Sequence, residues 1–134
     1  RNLDLGCGAF SYVHSVGFDL SQKMLDFNDN CSSKVVGSLE EKLPFDSGSF
    51  DSITSVFVLN YVKNYSGLLS EVKRVLIAGG IFVMVLSAKG INDWQRQKQV
   101  NDFSSEKWVT ELEKVGFSID CYEKEGLWFF KCLK

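Results

Sequence analysis

The chain has 134 residues, 45% of them apolar and 24% charged, with a net charge of −2 and an isoelectric point near 5.4. That length and composition fit one ordinary globular domain with a real core. No run of Lys or Arg offers a broad nucleic-acid surface, and no apolar run reaches the length of a membrane span.

The chain opens in a strand, Leu3-Asp4-Leu5, which leads into Gly6-Cys7-Gly8-Ala9-Phe10. Gly6 and Gly8 let the backbone turn tightly, so main-chain N–H groups can face a ligand at the carboxyl end of a parallel strand. Asp4 can accept hydrogen bonds from a ligand amine or from the loop amides. A strand and a Gly-rich loop without a ligand fits so short a motif equally well. Residues 10–15 leave room for about one helical turn. There is no initiator Met and no signal peptide, and almost nothing precedes the Gly turn. The natural protein is therefore expected to begin upstream of Arg1.

Val16-Gly17-Phe18-Asp19 reads as a second strand ending in an acid. Alone, Asp19 is a surface residue that begins a turn. Beside the Gly turn it suits the ribose hydroxyls of a nucleotide-like ligand. Ser21 is placed to cap a helix through about residue 29, with Met24, Leu25 and Phe27 on its buried side. Lys34-Val35-Val36-Gly37 forms a third strand, and residues 38–42 a polar connection. After the plug Leu43-Pro44-Phe45, residues 50–59 make a fourth strand, nearly continuously apolar at its end, as in a sheet centre buried on both faces. Asn60 and Tyr61 leave it at the end where ligands sit. They line a pocket, or else Tyr61 packs on the next helix and Asn60 caps it.

A helix follows from Ser66 to about Ile77, with Leu68, Leu69, Val72, Val75 and Leu76 at helical spacing. Gly79-Gly80 is expected to stop it, and residues 81–86 form a fifth strand. Residues 88–103 are the most polar stretch, including Gly90, with Trp94 the one large apolar residue of its first half. The stretch bears on a substrate, or it is a surface connection with Trp94 tucked into the core, and surface connections are usually polar. Ser104 or Ser105 caps a last helix through about Val115, with Trp108, Leu112 and Val115 inward and Gly116 as its stop. Residues 117–123 and 127–133 form an antiparallel hairpin around Lys124-Glu125-Gly126. Five strands alternating with helices and a closing hairpin make an α/β sandwich with one reversed strand.

The cysteines Cys7, Cys31, Cys121 and Cys132 show no metal-ligand spacing, and His14 is the single histidine. No metal site is expected, and free thiols fit a cytoplasmic location.

In order along the chain, these segments resemble the class I S-adenosylmethionine-dependent methyltransferases. The resemblance is carried by Leu3-Asp4-Leu5-Gly6-Cys7-Gly8, by residues 17–25, by Leu43-Pro44-Phe45 with Ser49-Phe50-Asp51, and by residues 69–76 with Gly79-Gly80. It implies a three-layer, Rossmann-like sandwich with a seven-stranded mixed sheet, and S-adenosyl-L-methionine as cofactor. It implies one methyltransferase domain over residues 1–134, lacking an N-terminal segment that helps cover the cofactor. Asp4, Gly6, Cys7 and Gly8 would hold the methionine end, and Asp19 the ribose. Leu20, Ser38 and Leu39 would surround the adenine, with Val56 and Phe57 near the sulfonium. Asn60, Tyr61 and Trp94 are the candidates for the acceptor side.

The chain departs from the family where Phe10 replaces a third glycine, where the helix after the turn is short, where Ser38 replaces an acid, and where Ala78 replaces a proline. Methyl transfer is an in-line displacement, so alignment and exclusion of water are the main tasks. No catalytic base is assigned. His14 and Tyr61 are the available candidates, His14 more simply as a structural residue. Asn60-Tyr61 resembles the Asn-Pro-Pro-Tyr motif of enzymes that methylate planar amines, without its two prolines. The expected function is methyl transfer to a small-molecule acceptor. The alternative is a methyltransferase-like partner module without catalysis. A dinucleotide oxidoreductase is disfavoured by the missing third glycine and by the terminal hairpin.

Overall fold

The computed structural model describes residues 1–89 and 92–134. Its strands are β1 (Asn2–Leu5), β2 (Ser15–Asp19), β3 (Cys31–Val36), β4 (Phe50–Val56), β5 (Leu76–Ser87), β6 (Ser118–Lys124) and β7 (Leu127–Leu133). They form one sheet in the order β3-β2-β1-β4-β5-β7-β6. The ladders from β3 to β5 are parallel, and β7 runs antiparallel to both of its neighbours. The expected α/β sandwich with a mixed seven-stranded sheet and a C-terminal hairpin is the fold observed.

Register separates the two faces. Leu3, Ile53, Phe82 and Cys132 align across β1, β4, β5 and β7, and Leu5, Ser55, Met84 and Phe130 form the next row on the same side. All eight are buried. Helices α2 (Tyr65–Val75) and α4 (Ser105–Val115) supply Leu68, Leu69, Val72, Val75, Trp108 and Leu112 to the same core. Each such side chain taken fully out of water contributes about 1.5–3 kcal/mol. The opposite face carries Asp4, Thr54 and Val83 in one row and Val56, Val85 and Phe129 in the next. There the outer layer is slight: α1 (Gln22–Asp26) reaches only the β2–β3 edge, with Leu25 over Gly17.

Several local expectations are corrected. Residues 10–15 hold no helical turn. Instead, Asn28 Nδ2 donates to the Gly8 carbonyl (3.2 Å) and to Ser11 Oγ (3.0 Å), and Asn30 Nδ2 donates to the Ser11 carbonyl (2.8 Å). These side chains claim the backbone groups that a helix would have paired. Helix α1 stops at Asp26, and of its expected buried trio only Leu25 is buried; Met24 and Phe27 face solvent. Strand β3 begins at Cys31, three residues early, and α2 starts at Tyr65 under an Asn64 cap.

Strand β4 ends at Val56, because Phe57 turns left-handed (φ 58°) and the chain then makes a 3₁₀ turn over Leu59–Tyr61. Gly79-Gly80 does not stop a helix. The chain passes directly from Val75 into β5, where the pair forms a bulge: the register jumps from Phe50–Leu76 to Ser52–Ile81, with Gly79 at φ 75°. Val115 is half-buried. The polar stretch contains a surface helix, α3 (Asp93–Lys98), and Trp94 on it is 66% exposed rather than tucked into the core. Gly90 lies outside the described residues.

Candidate cofactor cleft

The first two strand ends are tied together by backbone. Gly6 N donates to the Phe18 carbonyl at 2.7 Å, so the Gly turn folds back over β2. Gly6 has φ 65°, and a Cβ there would stand 2.7 Å from Val58 Cγ2. Both facts require glycine. Asp19 then joins the two loops: its Oδ2 accepts from Gly8 N and its Oδ1 from Ser21 N, each at 2.9 Å. Each carboxylate oxygen keeps a further lone pair.

Asp4 is 5% exposed. Thr54 Oγ1 donates to its Oδ1 at 2.8 Å. Burial raises the Asp4 pKa, the Ser11 and Thr54 hydroxyls oppose that rise, and the Asp19 charge adds to it. Cys7 is pushed up to about 12, first by burial and then by Asp4, so it stands as a neutral thiol.

Asp4, Gly6, Cys7 and Gly8 line a cleft of about 290 Å³ with Phe10, Tyr12, Val56 and Phe57. Of the ten residues expected to hold a cofactor, six therefore meet in one place, and Asp19 anchors its floor through Gly8. Leu20 stands exposed just beyond Asp19. Ser38 Oγ accepts from Glu40 N within its own turn (3.1 Å), and Leu39 packs partly against the core. Phe57 combines a left-handed backbone with 44% exposure at the mouth of the cleft. Such a conformation costs a bulky residue of order 1–3 kcal/mol and gathers at functional sites.

Asn60 and Tyr61 line a second cavity, of about 140 Å³, with Phe57, Ser87, Gln95, Gln99 and Leu127. Burial raises the Tyr61 phenol. Trp94 is not among the residues lining that cavity, although its helix supplies Gln95 and Gln99. His14 lies exposed on the loop, where it shares a hydrogen bond with Asn30 (3.2 Å). Among the described residues no group of acids, cysteines and histidine has the arrangement of a metal site. Sequence reasoning missed Thr54 and Tyr12 as lining residues, and it reached Gln95 and Gln99 only as part of the polar stretch. The period of two in β4 puts Thr54 on one face with Val56, but only strand order puts that face beside Asp4.

The residues present suit S-adenosylmethionine. The cleft offers a buried carboxylate that can meet an ammonium group, a glycine turn lets a ligand approach the backbone, and an acid with free lone pairs closes β2. Residues 3–84 match the family model described as a methyltransferase domain. The chain is 28% identical over 175 residues to the demethylmenaquinone methyltransferase of Lactococcus lactis, covering 92% of this chain and 68% of that protein. That span exceeds this chain's own 134 residues, so the relative carries segments within it that this chain lacks. The sterol 4-C-methyltransferase of Caenorhabditis elegans is 29% identical over 75 residues, 56% of this chain and 22% of that protein. The solved S-adenosylmethionine-dependent methyltransferase of Mesorhizobium loti shares the fold, with a TM-score of 0.82 at 20% identity, over 100% of this chain and 90% of that one. With a matching family model over most of the chain and the glycine cleft in place, the chain belongs to the class I S-adenosylmethionine-dependent methyltransferases, an enzyme family that takes S-adenosylmethionine as cofactor.

Proposed function

We propose that this chain binds S-adenosylmethionine across the ends of β1, β2 and β4 and directs its methyl group to a small-molecule acceptor. The observation that carries this reading is the convergence of Asp4, Gly6, Gly8, Val56 and Phe57 on one cleft, with Asp19 fastening Gly8 beneath it. The bound cofactor supplies a methyl group made electrophilic by its sulfonium. Asp4 then meets the ammonium of the methionine part, Asp19 the ribose hydroxyls, and Leu20, Ser38 and Leu39 the side of the adenine. Phe57 stands between the cofactor cleft and the cavity of Asn60 and Tyr61, so its ring excludes water where the two meet. An acceptor lying there is within reach of three neutral amides, Asn60, Gln95 and Gln99. The demethylmenaquinone and sterol enzymes among the relatives support a small-molecule acceptor. All four cysteines are free, which supports a reducing, cytoplasmic setting. No helix among the described residues is long and apolar enough to cross a membrane.

One observation favours a second reading, a methyltransferase-like module that engages a partner without turnover. Among the described residues no helix lines the groove of about 400 Å³ that lies open beside the cleft on the second sheet face. Calorimetric titration of the purified protein with S-adenosylmethionine, its demethylated product and NAD separates the readings. Binding of the first two alone supports methyl transfer; binding of none supports the partner module.

A further inference from the structure

The polar groups on the second sheet face form one directed chain of hydrogen bonds. Asn2, Asp4 and Ser15 are all buried there. Ser52 Oγ donates to Asn2 Oδ1 at 2.7 Å. The Asn2 amide sends one proton to Ser15 Oγ (2.7 Å) and the other to Thr54 Oγ1 (3.0 Å). Ser15 spends its own proton on the Val13 carbonyl (2.6 Å). Thr54 therefore receives from Asn2, and its single hydroxyl proton goes to Asp4 Oδ1 at 2.8 Å. The chain runs from β4 to β1, back to β4, and ends on a carboxylate that lines both the glycine cleft and the apolar groove beside it. A carboxylate so buried needs fixed donors to stay charged. The Ser11 and Thr54 hydroxyls oppose the rise that burial imposes on it.

This inference rests on the reading of Asp4 as the carboxylate that meets the ammonium of the cofactor. We propose that Thr54, itself oriented by Asn2 and Ser52, is a positioning residue: its hydroxyl fixes Asp4 Oδ1 and so presents the carboxylate to the ligand's amine. The chain on the second face is thus part of the cofactor site, although Thr54 itself need not touch the amine.

Two ligands test it. S-Adenosylhomocysteine carries the amino-acid part; 5′-methylthioadenosine keeps the nucleoside and thioether without it. Calorimetry on the purified protein is expected to show Thr54→Val weakening S-adenosylhomocysteine about tenfold, the size of one charge-assisted hydrogen bond. The affinity for 5′-methylthioadenosine stays within twofold, and Thr54→Ser restores the first ligand. Without its donor Asp4 titrates higher, so the loss of affinity on acidification begins at a higher pH in Thr54→Val than in the wild type. Ser52→Ala, one step back along the chain, gives a smaller loss with the same selectivity. An equal loss for both ligands, or none for S-adenosylhomocysteine, overturns the positioning role. A wild type that binds neither ligand instead removes the cofactor reading on which the role depends.

Discussion

At the scale of single residues, Gly6 and Gly48 separate two costs that usually arrive together. Both are left-handed, at φ 65° and 62°, but a Cβ on Gly48 meets nothing within 4 Å whereas one on Gly6 meets Val58 at 2.7 Å. Gly48→Ala is therefore expected to lose about 1 kcal/mol from backbone strain alone. Gly6→Ala adds overpacking of about 1–3 kcal/mol against Val58. Urea denaturation of the two variants reads the difference, and equal losses would show that Val58 yields freely. Asp19 has a structural duty that sequence alone did not reveal. The sequence marks it as a strand-end acid, but its bonds to Gly8 N and Ser21 N appear only once β1 and β2 lie side by side. Asp19→Ala should thus weaken S-adenosylhomocysteine at least tenfold and also cost about 1–2 kcal/mol of stability, from two amides left without their charged acceptor. A variant with unchanged affinity would sink the ribose assignment.

At the scale of elements, the segments whose signals are local were legible and those set by neighbours were not. Ser104 at the start of α4, Gly116 at its end with φ 95°, and Glu125-Gly126 in the hairpin carry their structure in their own chemistry. The bulge at Gly79-Gly80 does not. It depends on pairing with β4, so the same two glycines read as a helix stop in the sequence. The missing helical turn at residues 10–15 likewise depends on Asn28 and Asn30, which lie in the next connection. Helix α4 offers a test at this scale. Glu111 is buried against α2, and Lys107 (2.7 Å) and Lys114 (2.9 Å) hold its carboxyl down at about 2, from an ordinary 4.5. A depressed folded pKa means stability that is fully present above about pH 4.5 and is lost as the pH falls toward 2. Both lysines are well exposed, so the gain is about 1 kcal/mol or less. Thermal melts of Glu111→Gln should fall below the wild type at neutral pH, with the gap closing as acid is added. A gap that widened in acid would contradict this sign.

At the scale of the whole molecule, the sheet is unevenly clad. Helices α2 and α4 close one face, while the other, among the described residues, bears the polar chain ending on Asp4, the apolar groove and the short α1 at its edge. Phe10, Tyr12, Val13, Leu20, Met24 and Phe57 stand exposed around the Gly turn or along the edge of that face. A ligand that binds the folded chain alone draws its whole binding free energy into stability, about 2.7 kcal/mol at a hundredfold excess over its dissociation constant. Much of the cleft belongs to the loop that follows β1, which hydrogen bonds from Gly6 N, Cys7 N and Gly8 N tie to the end of β2. S-Adenosylhomocysteine at that excess should raise the melting midpoint by several degrees in a domain of this size. NAD at the same concentration should not, because the dinucleotide fingerprint has its third glycine where this chain has Ser11. A shift with NAD and none with S-adenosylhomocysteine would reverse the ligand assignment. A shift with both that survives Asp19→Ala would place the binding away from the ends of β1 and β2, and so detach the glycine turn from the cofactor.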